Sequence, residues 1–588
     1  VASQPTRLKP VDVAIVGGGW TGLTMARELT TRTPLSVLVL ERGSMPGATK
    51  YADGMDEIDY SVRFRMMQNT ADETITHRHS ARDVAQPVRQ YGSFLPGTGV
   101  GGAGEHWAGL AWRFYPDVFT MRTSLVEKHG RDGLSRDLAV QDWGVTYDDL
   151  EPHYWRAEQM MGVGGKAGNL RGTIVAGGNP FEGPRQHDYP LPPLKKSHFA
   201  SLIHDGAAKI GLHPHPSPSA LLSEAYRNPD GVSRPGCMYC GFCERFGCMI
   251  GAKAQPTNTL LPVLQRRRSF QLRTGAWVRR IAHKDGRITG VEYADERGRA
   301  FFQPATTVVL ATFTLNNVRL LYLSKIGTPY DPASRRGALG KNLTHQVHGR
   351  TPVFFDKPLN LFIGNGALAT RVSDYDGDRV PPGNDGVYRL GALAGLTRGE
   401  RPASYFGASI PRDETTSTWG AEWKAAGMKW YDRAAAITFT GEHLSWRQHH
   451  MDLDPTYADK FGDPLLRFTL DWTEHEHRQR EIADGIARQI ARAIGARLDD
   501  TKPSRAKYSV VNYLSTHIQG GAVMGGSPEN SVVNRYLQHW ELPDLFVIGA
   551  SAFPQNPSHN PTLTAVALTT WAADAMIDRY FKAPGHLL

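Results

Sequence analysis

Four cysteines are all that this 588-residue chain contains, and all four lie between positions 237 and 248. Such scarcity excludes a disulfide-stapled scaffold, which spreads many cysteines through a small secreted domain. A chain of this length buries a large core without staples. No run approaches the roughly 18 apolar residues needed to cross a bilayer, so no segment reads as a membrane-spanning helix. The N-terminal stretch "VASQPTRLKPVDVAIVGGG" has no apolar run ahead of its first strand and no twin-arginine pair, so no export signal of either kind is expected. Internal repeats and low-complexity tracts are missing. Basic blocks are scarce beyond "QRRRS" (265–269), and a net charge of +9 over this length is modest, which argues against nucleic acid as a partner. What is plentiful is glycine (61) and proline (38), the mark of many tight loops. The length implies two or more domains, or one large fold with insertions.

The cysteine window, "GCMYCGFCERFGC" (236–248), holds Cys237, Cys240, Cys243 and Cys248. Disulfides between such close neighbours would constrain little else, so metal binding is the stronger reading. Zinc sites are usually built from two separated pairs. Three close cysteines and a fourth nearby suit an iron–sulfur ligand run better. Structural zinc and free or disulfide-bonded thiols stay open, and the spacing does not fix the cluster type.

The N-terminal segment "VDVAIVGGGWTGLTMARELT" predicts a buried strand, Val11 to Val16, then Gly17, Gly19 and Gly22 in G-x-G-x-x-G spacing, then a helix with Leu23, Ala26 and Leu29 on one face. A second β-rich run, "SVLVLERG", ends at Glu41, 19 residues after Gly22. Strand, tight turn, helix, strand and acid together form a dinucleotide-binding fingerprint. The glycines admit a pyrophosphate at a helix N-terminus, and the acid takes a ribose. Near the C-terminus, "LPDLFVIGASAFPQNPSHNPTLTAVALTTWAADAMI" predicts another strand (545–549) and a helix, with Asn560 as N-cap and Pro561 in the first turn. The cofactor domain is therefore expected to be discontinuous.

Several segments carry a resemblance to one family: "VGGAGEHWAGLAWRF" (100–114), "DWGVTYDDLEPHYWRAE" (142–158), "ATTVVLATFTLNNVRLLYLSKIG" (305–327), "LGKNLTHQ" (339–346), "STHIQGGAVMGG" (515–526) and "SHNPTLTAVAL" (558–568). Together they resemble the glucose–methanol–choline (GMC) oxidoreductases, which use FAD. Two departures touch single cofactor contacts: Ala311-Thr312-Phe313 stands where Ala-Gly is frequent, and Gly549-Ala550-Ser551 where Asp-Ala-Ser is usual. The resemblance implies an α/β fold, with a Rossmann-like FAD domain and an α+β substrate domain built on an antiparallel sheet. The expected FAD domain comprises 1–50, 95–345 and 510–588, with the cysteine insertion at about 215–256. The expected substrate domain comprises 346–509 plus about 51–94.

The implied FAD contacts are Gly17, Gly19, Gly22, Glu41, Arg42, Gly102, His106, Trp107, Val278, Ala311, Thr312, Ala550, Pro561 and Thr562. "GEHWAG" places His106 where pyranose-oxidase-like relatives attach the flavin covalently, which implies a histidyl bond to the 8α-methyl. His517, ahead of the glycine-rich turn, is the expected general base, since an imidazole titrates near neutrality. Asn560 is expected beside it on the same substrate hydroxyl, and His559 is expected to point away. The cysteine run is similar to that of membrane-associated flavocytochrome dehydrogenases acting on gluconate, 2-ketogluconate or fructose. That implies oxidation of a sugar acid or sugar, D-gluconate to 2-keto-D-gluconate first, with 2-ketogluconate, fructose or sorbitol as alternatives. It also implies an iron–sulfur cluster, three-iron before four-iron. The implied partners are a small subunit carrying the export signal and a membrane-anchored multihaem cytochrome c, at the periplasmic face of a bacterial inner membrane. A cationic group for a substrate carboxylate is expected among Arg113, Arg447 and Arg467. Two other readings compete: an oxygen-using oxidase of the same fold with zinc on the cysteines, and a non-catalytic electron-transfer or scaffold flavoprotein, against which His517 and Asn560 argue.

Overall fold

The aliphatic runs at the N-terminus become the centre of a parallel sheet. In the computed structural model, which describes residues 4–45, 57–58, 74–89, 96–362, 369–396, 406–407, 410–412, 417–510 and 516–587, the strand Val11–Val16 lies between Val37–Leu40 and Ala300–Leu310. Val13 pairs with Val37, and Leu310 with Val16. Phe270–Arg273 extends one edge, and Leu545–Val547 pairs with Val308–Leu310 from the far end of the chain. The strands Trp277–Lys284 and Arg287–Ala294 add an antiparallel flap to the same sheet. Val13, Ile15, Val39 and Val309 are completely buried. Each such side chain contributes about 1.5–3 kcal/mol by leaving water.

Helices cover this sheet. Trp20–Arg32 packs against Thr562–Ala575, which in turn packs on Tyr147–Met161. The last of these opens with a reciprocal cap between Thr146 and Asp149 and closes on Gly162 in the left-handed region, so both ends are set by local chemistry.

A second layer is an antiparallel sheet in the order Val347–Phe354, Ala434–Gly441, Gly391–Leu396, Thr370–Val372, Pro214–Pro216. Its strands alternate. Val347, Val372, Leu393, Ile437 and Phe439 turn to one side and form a second core with the helices His198–Lys209 and Glu474–Ala493. Period-two geometry then forces Gln346, His348, Arg371, Ala394, Thr438 and Thr440 to the opposite face. That face looks onto the cavity described below. A smaller sheet joins His450–Ala458 and Pro464–Thr469 to Thr76–Arg78 and Gln86–Pro87. Among the described residues, no helix is long and apolar enough to cross a membrane.

Candidate active site

A cavity of about 440 Å³ runs from the glycine turn to the polar face of the antiparallel sheet. Its near end is built by the turn after Val16. Gly17 has φ +108°, and a Cβ there would sit 2.6 Å from the Ala311 carbonyl oxygen, so only glycine makes the turn. Gly22 belongs to the packing of the turn: its Cβ would lie 2.0 Å from Gly17 O, and the residue does not line the cavity. Of the three glycines expected at the cofactor, the cavity is thus lined by Gly17 and Gly19. Gly19 does line the cavity. A Cβ there would have no protein atom nearer than Gly101 O at 3.9 Å, so the space in front of it belongs to something else.

Glu41 is buried at the end of Val37–Leu40. Its Oε2 accepts from Gly18 N and its Oε1 from Gly43 N, each at 2.9 Å. Glu41 also lines the cavity, at the strand end where a carboxylate would take a ribose hydroxyl. Arg42, Gly102, His106, Trp107, Val278, Ala311, Thr312, Ala550, Pro561 and Thr562 also line the cavity. The side chain of Asn317 accepts from Thr312 N at 3.0 Å and donates to Ile548 O at 3.0 Å, which ties the turn after Leu310 to the C-terminal strand. His106 is buried at the end of the short 3₁₀ turn Gly102–Glu105, and Trp107 Nε1 donates to Ala254 O at 2.7 Å. The preceding Glu105 is pushed up to about 7 by burial, while donors from Gln255 and Thr257 pull it down. A glycine whose Cβ would enter open space, a buried carboxylate at the strand end and a cavity of this length fit a flavin dinucleotide.

At the far end, His517 and Asn560 come together. Asn560 Nδ2 lies 3.2 Å from His517 Nε2, and His517 Nδ1 is hydrogen-bonded to Gln346 Oε1. The orientation of Gln346 is fixed independently: its Nε2 donates to Pro557 O at 2.8 Å and His559 O at 3.3 Å, so Oε1 must face the imidazole. His517 therefore carries its proton on Nδ1 and presents a bare Nε2 to the Asn560 amide and the cavity. Burial pushes His517 down to about 4, with Glu244 pulling it partway back, so the ring is neutral at neutral pH. Asn560 is not the helix cap expected of it. The helix is Thr562–Ala575, its N-cap is Pro561, and no side chain caps it. With the Asn560 amide engaged by the imidazole, the first turn's N–H groups have no side-chain acceptor, an end that favours negative charge. His559 packs against Tyr115 and Trp112, with Nδ1 3.2 Å from Ser558 Oγ, and does not line the cavity.

None of the three arginines expected at a substrate carboxylate lines the cavity. Arg113 makes a two-pronged pair with Glu158 and a third bond to Glu151, all at 2.9 Å. Arg467 is paired the same way with Asp452, and Arg447 with Asp137 on the surface. Arg371, which sits in a three-residue strand and carries no motif, does line it.

The cysteine loop forms part of the cavity wall through Glu244 and Arg245. Its four thiols are free of disulfides. Among the described residues, no three His, Cys, Asp or Glu side chains are placed to hold a single metal ion. Burial pushes Cys243 and Cys237 up, and the neighbouring cysteines add to the effect. Lys253, fully buried, donates to Trp107 O and Cys243 O at 2.8 Å and to Phe246 O at 2.6 Å. Arg245 N donates to His106 O at 2.7 Å. The thiol loop and the cavity loop are thus clasped at both the backbone and a buried cation.

Models of the GMC oxidoreductase family match residues 228–348 and 448–569, and a model of FAD dependent oxidoreductases matches 12–118. The chain is 38% identical, over 99% of its length and 96% of the relative's, to a gluconate 2-dehydrogenase flavoprotein of Pantoea cypripedii. It is 24% identical to the fructose dehydrogenase large subunit of Gluconobacter japonicus, over 96% of this chain and 98% of that one. The crystal structure of pyridoxine 4-oxidase from "Mesorbium loti" superposes with a TM-score of 0.61 at 17% identity, covering 98% of this chain and all of that one, and shares the fold. With glycine turn, carboxylate, cavity and histidine–asparagine pair in place, the chain belongs to the GMC oxidoreductases and is an FAD-dependent oxidoreductase.

Proposed function

We propose that the chain is the flavoprotein subunit of a dehydrogenase that oxidises a hydroxyl of a sugar acid, D-gluconate to 2-keto-D-gluconate. The observation that carries this is the unprotonated Nε2 of His517, held in its tautomer by Gln346 and hydrogen-bonded to Asn560 at the end of the flavin cavity. Bound there, FAD supplies a hydride acceptor. His517 Nε2 takes the hydroxyl proton, because its neutral ring is the base form at neutral pH. Asn560 Nδ2 then donates to the same oxygen and holds it in line. Gln346 Oε1 accepts from the Nδ1–H of the imidazolium that results.

The relatives named a gluconate 2-dehydrogenase flavoprotein and a fructose dehydrogenase large subunit support a sugar or sugar-acid substrate and a subunit role. Cys237, Cys240, Cys243 and Cys248 would hold an iron–sulfur cluster, three-iron in preference to four, whose chemistry is one-electron transfer. Its natural acceptor is a membrane-anchored multihaem cytochrome c at the periplasmic face, with a small subunit as second partner. His106, buried on the cavity wall, is the residue for a covalent link to the flavin.

The test is anaerobic. Purified holoprotein mixed with D-gluconate, 2-keto-D-gluconate, D-fructose and D-sorbitol should lose its flavin absorbance fastest with D-gluconate. His517→Ala should bleach about 10²–10⁴-fold more slowly with its flavin still bound. Equal bleaching by the variant would remove His517 from the chemistry, and no bleaching with any of the four would end the reading.

A further inference from the structure

We infer that Arg371 is the residue that recognises the carboxylate of the substrate, and so selects acid sugars over neutral ones. The inference rests on the polyol-oxidising reading of the His517 site and adds the charge of the substrate to it.

Arg371 lines the same cavity as His517 and Asn560 and is itself 4% exposed. A buried guanidinium is expected to be saturated by acceptors. Most of the buried arginines are held by carboxylates, although Arg185 Nη1 and Arg234 Nε and Nη1 are also buried without a partner. Arg113 is forked onto Glu158, Arg389 onto Glu442, and Arg185 is bonded to Glu158 at 2.7 Å. Arg371 differs from Arg185 and Arg234 in lining the cavity of His517. Its Nη2 alone is used, in contacts of 3.1–3.3 Å to Ser558 Oγ, Asp376 Oδ2 and Ser558 O. Its Nε is buried with no partner, and Nη1 forms no hydrogen bond among the described residues. Asp376 does not complete it, because its Oδ1 is taken by Ser558 Oγ and by Gly377 N at 3.0 Å. The guanidinium lies 4.6 Å over the ring of Trp112, which holds its plane without consuming its donors.

Position supports the role. Arg371 is held by Ser558, and Asn560, two residues on, is bonded to His517. Ser558 and Asn560 are at most about 7 Å apart along the chain, and Arg371, Asn560 and His517 all line the one cavity. The neighbours on the same sheet face are Ala394, which leaves room, and Thr438 and Thr440, which offer hydroxyls to a polyol. A 2-hydroxy acid carries its carboxylate one bond from the reacting carbon. On this inference Arg371 takes the carboxylate through charge-assisted bonds while His517 takes the neighbouring hydroxyl.

The experiment compares D-gluconate with D-gluconamide, its uncharged counterpart, as reductants of the bound flavin without oxygen. Wild-type protein should prefer gluconate. Arg371→Gln should lower the apparent second-order bleaching constant for gluconate at least 30-fold more than that for gluconamide, mainly through a raised Kd. Arg371→Lys, which keeps the charge, should recover part of the preference. If Arg371→Gln is recovered without flavin, the lysine variant decides: a preference no different from wild type overturns the inference. Equal losses with both reductants would overturn it as well, since they mark a structural role. Wild-type bleaching that is equal with the two leaves the polyol reading standing and removes the inference alone. Failure of every sugar and sugar acid to bleach the flavin defeats the underlying reading instead.

Discussion

Replacing Gln346 tests the assignment of the base without touching it. Gln346→Leu removes the acceptor of His517 Nδ1–H. A buried donor left unsatisfied costs about 1–3 kcal/mol. The imidazole escapes that cost by shifting its proton to Nε2, which ends its function as a base. At about 1.36 kcal/mol per decade, kcat/KM should fall about 5- to 150-fold. Gln346→Glu separates this from damage to packing. The carboxylate still accepts the Nδ1 proton, but it stabilises the imidazolium, and an opposite charge at hydrogen-bond range raises a pKa by about 1–3 units. His517 sits at about 4 in the native protein. The base works deprotonated, so activity is lost as pH falls through its pKa. The acid limb should therefore move from about 4 to about 5–7, with the rate above pH 8 largely kept. Glutamate also forfeits the donations to Pro557 O and His559 O, so some stability is lost. Stopped-flow flavin bleaching by D-gluconate from pH 4 to 9 measures both variants. A leucine variant within twofold of wild type, or a glutamate variant whose acid limb does not move, refutes the tautomer argument.

Three further outcomes follow from the same geometry. Gly19→Ala should fold normally but lose flavin, because its methyl enters the cofactor's space, whereas Gly22→Ala should lower Tm, because its methyl meets Gly17 O and overpacking costs about 1–3 kcal/mol; flavin content and calorimetry on both variants check the contrast. Denatured wild-type protein should carry flavin fluorescence on a gel and His106→Ala should not; release of all flavin by acid from the wild type would end the covalent assignment. Cys243→Ser should retain anaerobic bleaching by substrate while cytochrome c reduction collapses and iron content drops; loss of both activities together would mark the loop as structural.

The cofactor half of the site was legible because its chemistry is local. Val11–Val16, the glycine turn, Val37–Leu40 and Glu41 lie within about thirty residues, and the structure holds them as the spacing predicts. The substrate half was not. Pro214–Pro216 joins a sheet whose other strands begin at Val347, and Arg371 pairs across to His215 and Ala394, contacts with no trace in any short window. Gln346 stood inside the quoted "LGKNLTHQ" segment, yet nothing in that segment signals that its amide would be oriented by the carbonyls of Pro557 and His559. Asn560 misled as a cap because Asn before Pro is a common helix start. The structure gives the N-cap to Pro561 and the Asn side chain to His517. The cation for a carboxylate was sought among Arg113, Arg447 and Arg467, and carboxylates of the chain itself had already taken all three.

The clasp at Lys253 bears on how the protein is made. One buried ammonium holds the carbonyls of Trp107, Cys243 and Phe246, and the His106 carbonyl takes the Arg245 N–H. The thiol loop cannot settle without settling the flavin wall. Whatever ordering free energy one occupant contributes, the other no longer has to supply, and linkage makes the effect reciprocal. On the proposed cluster reading, maturation is cooperative: a chain starved of iron is expected to be a poor acceptor of flavin as well, which flavin content after growth in iron-depleted medium measures.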